Sequence, residues 1–164
     1  MNLKKVKRYA VLGILFFLPV SFLLFLYPAT HNYTPLDIIN EDVLDIDLFS
    51  SDSNEDIALK DHITVLGFLG NNPNKNSTAA SNLKELVYDK FKGFKRFHIV
   101  IVTPKGTEET VKKLKKDISS YEDLRFWHFA FGEPNDINNL FNSLKSNTSL
   151  NQNLSTNNVF IIDK

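Results

Sequence analysis

The sequence contains no cysteine. A thiolate is the attacking group in thiol–disulfide exchange and the ligand soft metals prefer, so no side chain of this chain performs that exchange or supplies that ligand. No acid precedes Asp37, and no charge of either sign occurs from Tyr9 to Tyr27. The basic residues Lys4, Lys5, Lys7 and Arg8 all fall before that uncharged run. Setting those four aside leaves 15 bases against 19 acids, about −4 for the remainder. Such a balance offers no basic face, so nucleic acid is not expected as a partner.

What is present begins with the uncharged run "YAVLGILFFLPVSFLLFLY", residues 9–27. Its length is enough to cross the hydrocarbon layer as a helix, which makes the lipid bilayer the first expected partner. Tyr9 and Tyr27 suit the two interfaces, and the preceding bases favour a cytoplasmic N-terminus at residues 1–8. Pro19 is tolerated in a membrane helix, where neighbouring groups satisfy the freed carbonyl. The rival, a cleaved signal peptide, is disfavoured because the run is long and "FLYPATHN" offers no small-x-small cleavage site. A lipoprotein would need a cysteine after the run. Residues from Pro28 onward are therefore expected outside the cytoplasm, periplasmic if the source is bacterial.

Residues 28–55 read as a linker, with "YPATHNYTP" and "SSDSNED" rich in turn formers. Between them "EDVLDIDLF" alternates acids with apolar residues, and either an edge strand or a docking segment fits it. From residue 56 the pattern becomes regular. "ITVLGFL" (63–69), "FHIVIV" (97–102), "LRFWHFAF" (124–131) and "VFII" (159–162) read as strands. A helix capped by Ser77 or Thr78 is expected to turn Leu83, Leu86, Val87, Phe91 and Phe94 inward. Thr107 is expected to cap a helix with the stripe Val111, Leu114 and Ile118. Asn135 is expected to cap one carrying Ile137, Leu140, Phe141 and Leu144. Residues 142–158 read as a weakly ordered polar loop. Alternating strands and helices predict an α/β fold, βαβ units around a mixed or parallel sheet with helices on both faces.

The most informative stretch is "TVLGFLGNNPNKNSTAASNLKEL" (64–86), a strand emptying into a polar loop that leads into a helix. Three segments and the closing strand resemble the Sco/SenC family of copper chaperones, within the thioredoxin-fold superfamily. "NPNKN", at Asn72 to Asn76 with Asn82-Leu83 following, is similar to the family's Cys-Pro-x-x-Cys and the Asn-Leu of its helix. "VTPKGTEETVKKL" is similar to its Val-Asp-Pro-x-x-Asp-Thr-Pro-Glu segment. "FWHFAFG" is similar to its Trp-x-x-Leu-Thr-Gly, and "VFIID" resembles its Tyr-Leu-Ile-Asp strand. The resemblance covers roughly residues 56–164 and implies a thioredoxin-like mixed sheet flanked by helices, preceded here by one transmembrane helix. Since a thioredoxin fold continues into a further strand and helix, the ending at Lys164 reads as a C-terminal truncation.

In that family two cysteines and a histidine bind copper. The resemblance places Asn72, Asn76 and Ser155 at those positions, beside Pro73, and Thr103 where the family has Asp. Amides and a hydroxyl are hard, neutral groups that suit copper(I) poorly. The expectation is a degenerate site without catalytic residues, metal or cofactor. Its loop is either vestigial or a binding surface for an envelope protein partner, the helix start being suited to an anion or a partner carboxylate. The alternative is a copper chaperone or oxidoreductase-related protein whose reactive groups come from a partner or from residues beyond the chain end.

Other candidates are weaker. His31, His62, His98 and His128 have no metal-ligand spacing and read as isolated packed or solvent-facing residues. "GEPNDINN" does not match an EF-hand. Phe126, Trp127, Phe129 and Phe131 read as core, and Lys112, Lys113, Lys115 and Lys116 as the wet side of a helix. Asn32, Asn76, Asn147 and Asn153 begin glycosylation acceptor patterns, relevant only in a eukaryotic secretory pathway.

Overall fold

The computed structural model describes residues 3–26, 36–53, 56–119 and 123–164. His31, the Asn32 acceptor pattern and most of "YPATHNYTP" lie outside them. The chain divides into two compact units, Met1–Asp37 and Ile38–Lys164.

The first unit contains helix α1, Leu3–Leu26, with Pro19 in its interior. Its stretch Val6–Phe25 is 20 residues of mean hydropathy 2.0, long and apolar enough to cross a membrane.

The second unit is a mixed α/β structure built on one five-stranded sheet. Its strands are β1 (Ser50–Ser51), β2 (Ile63–Leu69), β3 (Phe97–Pro104), β4 (Trp127–Gly132) and β5 (Ser155–Asp163), in spatial order β1-β4-β3-β2-β5. β2, β3 and β4 run parallel, while β1 and β5 lie antiparallel at the two edges. Every residue of β3 is buried, which is why its sequence is apolar rather than alternating, His98 and Thr103 excepted.

The helices are α2 (Ser77–Leu83), α3 (Asp89–Phe91), α4 (Glu108–Ile118) and α5 (Pro134–Ser143). α2 and α4 cover one face of the sheet, packing Ala80, Val111, Leu114 and Ile118 on Val65, Ile99, Ile101 and Phe129. α5 covers the other with Ile137, Leu140 and Phe141 on Leu66, Val100 and Val102. Trp127, Phe129 and Phe131 are core residues. So is Ile46, from within "EDVLDIDLF", a segment that ends at the short edge strand β1.

Asp45 anchors that segment. Its carboxylate accepts from the amides of Ile46 and Leu59, at 2.9 and 3.0 Å, and pairs with Lys164 Nζ at 3.3 Å. Burial alone would raise its pKa. The two backbone donors and Lys164 outweigh burial and hold it below the ordinary carboxylate value.

Three expectations change at the helix ends and faces. A 3-10 turn, Pro73–Asn76, precedes α2, and Asn76 rather than Ser77 or Thr78 occupies the cap position. α5 starts one residue before Asn135, with Glu133 at the cap and Pro134 at the first helical position, where its missing N–H costs nothing. Between α2 and α3 the residues Lys84–Tyr88 widen into a π turn, and the amide of Asp89 reaches back five residues to Lys84 O. The extra residue rotates the face that follows. Leu83 and Val87 stay against the core, but Leu86 is 61% exposed and Phe94 63% exposed, while Tyr88 is buried.

Candidate functional site

The apolar pattern of β2 ends at Leu69, and Gly70 follows in the left-handed region at φ +69°. A Cβ there would lie within 2.1 Å of Asn153 O, so the residue must be glycine for both conformation and space. This close approach joins two segments far apart in sequence. The amide of Asn71 donates to Asn153 O at 2.9 Å, and Leu69 pairs with Ser155 at the start of β5. β5 therefore begins four residues before "VFII", inside the stretch expected to be a loose loop.

Asn72, Pro73 and Asn76 sit on the turn beside that junction. Pro73 opens the 3-10 turn, where a fixed φ helps and no N–H is needed, and the amide of Lys75 closes it on Asn72 O at 3.1 Å. The side chain of Asn76 turns back to donate from Nδ2 to Leu69 O at 2.9 Å. Asn72 is exposed. Ser155 is buried and bonded to the Asn151 amide group. Asn151 Oδ1 also accepts from the amides of Asn153 and Ser155, closing the turn that carries Leu154 at φ +57°. The structure thus brings Ser155 beside the asparagine turn, with Leu69 as the shared neighbour.

The position of this junction in the topology is informative. β2, β3 and β4 step across the sheet in one direction, and the chain then crosses the opposite face through α5 to reach β5 on the far side of β2. The order reverses between β2 and β5. In open α/β sheets the crevice at such a reversal, beyond the carboxyl ends of the strands, is where ligands bind.

An open apolar groove of about 270 Å³ adjoins it, lined among others by Ala79, Leu83, Leu86, Val87 and Val159. Gly67 forms part of its floor, and a Cβ there would press on Ile101 Cδ1 at 3.0 Å. Thr103, close to the end of β3, is fully buried with no hydrogen-bond partner for its hydroxyl among the described residues.

The donor set does not fit copper(I). It consists of amide and hydroxyl groups, and those of Asn76 and Ser155 are already engaged within the fold. No described group of three or more His, Cys, Asp or Glu is placed to hold a metal ion.

Sequence reasoning missed a cluster at the opposite end of the sheet. His62, His98 and His128 come from three separate segments and meet in one row. The rings of His62 and His98 stack at 4.5 Å and 7°, and His98 meets His128 edge-on at 5.7 Å and 71°. Only the strand register, which pairs Thr64 with His98 and Val100 with His128, exposes the relation.

Neither a scan against protein-family models nor a search of curated proteins returns a match to this chain.

Proposed function

We propose that this is a membrane-anchored, extracytoplasmic protein of Sco-like ancestry and thioredoxin-like fold that has no redox or copper chemistry of its own and acts by binding during assembly in the cell envelope. One observation carries the reading. The turn Asn72–Asn76 and Ser155 meet where the sheet order reverses, yet the Asn76 and Ser155 side chains are spent on holding the backbone. The layout of a site is kept while its reactive groups are replaced by structural ones. The βαβ units and the antiparallel β5 beside β2 agree with the implied fold. The basic residues Lys4, Lys5, Lys7 and Arg8, which precede the uncharged run 9–27, agree with a cytoplasmic N-terminus.

Two measurements test this. Anaerobic copper(I) titration of the full chain in detergent should give no stoichiometric high-affinity binding, and tight one-to-one uptake would overturn the reading. A photo-crosslinker replacing exposed Lys75 should capture an envelope protein in intact cells. Capture from the α5 face with none from Lys75 would make the turn vestigial.

A further inference from the structure

We propose that His62, His98 and His128 form an acid-released latch that holds the turn before β2 against the sheet. The argument starts from His98. It is the second residue of β3, on the same face as Val100 and Val102, and is 5% exposed. Its Nε2 shares a hydrogen bond with the hydroxyl of Thr64, itself fully buried. Parallel imidazoles pack well when neutral, but a second positive charge in such a stack meets direct repulsion.

The turn carrying His62 is built to be held by that contact. Leu59 plugs it into the core, and Asp61 adopts φ +63° to reverse the chain. The His62 Nδ1 donates to Lys60 O at 2.8 Å, fixing the ring over His98. Arg96 Nε donates to Asp61 O at 2.8 Å from the neighbouring connection, and the amide of Asp61 donates to Lys164 O. Apart from Leu59, the turn is tied down by polar contacts at its rim and by the stacked ring.

Among the described residues, the charged surroundings offer His98 no compensating carboxylate bond. A groove of about 580 Å³ beside the row is lined by Lys95, Lys115 and Arg125, which oppose a cation, and by Asp56 and Asp123, which favour one. Lys115 is paired with Asp52 at 2.6 Å, and Asp163 with Arg96 at 3.7 Å. Burial, followed by repulsion from His62 and then His128, lowers the His98 pKa from 6.5 to about 3.

The sign follows from the direction of that shift. The closed state binds the neutral ring, so it binds fewer protons than the open state between about pH 3 and 6.5. The contribution is complete above 6.5 and is lost as the pH falls. Each unit below 6.5 shifts the open–closed ratio by up to tenfold, about that much where opening fully hydrates the His98 ring, until the folded pKa is reached. Between pH 7.5 and 4.5 the open fraction of the turn therefore rises by up to about 100-fold.

The absence of cysteine makes the test direct. Leu59→Cys in the full chain in detergent places one buried thiol under the latch, to be titrated with 4,4′-dithiodipyridine, which reacts in acid. Corrected for intrinsic reactivity, labelling should accelerate by up to about 100-fold from pH 7.5 to 4.5. Adding His98→Gln, whose amide can still bond Thr64 but does not titrate, should flatten the profile. Hydrogen exchange of residues 57–62 in the otherwise unaltered chain and in His62→Phe, which keeps a stacked ring, provides a readout independent of both substitutions. The unaltered chain should open with acid and His62→Phe less so. Protection unchanged at pH 4.5, or the same acid response in His98→Gln, would overturn the latch.

Discussion

The two ends of the β2–β3–β4 sheet invert what their residues promise. The carboxyl end has the position and outline of a site, and its polar side chains are consumed by backbone repair: Asn76 on Leu69 O, Asn151 on the 153–155 turn. The amino end has no motif at all, and it holds a row of three imidazoles with the buried His98 at its centre. Position in a fold and chemical potential are thus separate properties. A loop can occupy such a place with no reactive group in it, while register alone can assemble a cluster that no spacing rule anticipates.

Substitutions can break or sharpen that contrast, taken here from the largest effect to the smallest. Leu59→Ala removes the plug beneath His62 at the amino end and should lower unfolding free energy by about 3 kcal/mol in denaturant titration, because Leu59 is fully buried. Gly70→Ala at the carboxyl end should cost about 2 kcal/mol or more, from the left-handed φ and the contact with Asn153 O. A cost below about 0.5 kcal/mol would mean that the β2–β5 junction is loose.

The sharpest comparison uses one substitution at two threonines. Thr64→Val strands the Nε2 of His98 and should destabilise by about 1–2 kcal/mol. Thr103→Val replaces a buried hydroxyl without a partner and should stabilise by about 1 kcal/mol. Equal signs in paired thermal melts would erase the distinction between the two ends. Last, Asn76→Ala should cost about 1 kcal/mol by freeing Leu69 O, whereas Asn72→Ala, exposed and without a side-chain bond in the turn, should stay within about 0.5 kcal/mol.

Much of the fold was legible in the sequence because its strands are short apolar runs and α4 has a clean stripe. Val111, Leu114 and Ile118 are buried as their spacing requires, and β2 spans residues 63–69. The helix after the asparagine turn was misread at its second half. A π turn inserts a residue that no 3.6-residue count allows for, so Leu86 faces outward and Tyr88 inward, where its hydroxyl donates to Asp123 O at 3.2 Å, while Phe94 lies past the end of α3 at Phe91. β5 was read four residues too short. Ser155 to Asn158 are polar; Ser155 pairs with Leu69, and residues 156–158 span an irregularity before Val159 pairs with Gly67, a register that only tertiary contact supplies. At the carboxyl end, Asn72, Pro73, Asn76 and Ser155 could each be named, but not the internal bonds that engage Asn76 and Ser155. The histidine row was invisible because parallel pairing relates residues that are remote in the chain.

The pairing of β2 with β5 also sets an order of events during synthesis. β2, β3 and β4 can align with their crossover helices as they leave the ribosome or the membrane. One long edge of β2, with the Asn71 amide that will donate to Asn153 O, waits for a strand that emerges after every other element described here. Contacts across so long a loop form late. The junction at Gly70 is therefore among the last parts of the domain to close. Until it does, β2 presents an unprotected apolar edge that a chaperone, or a neighbouring nascent chain, is free to meet first.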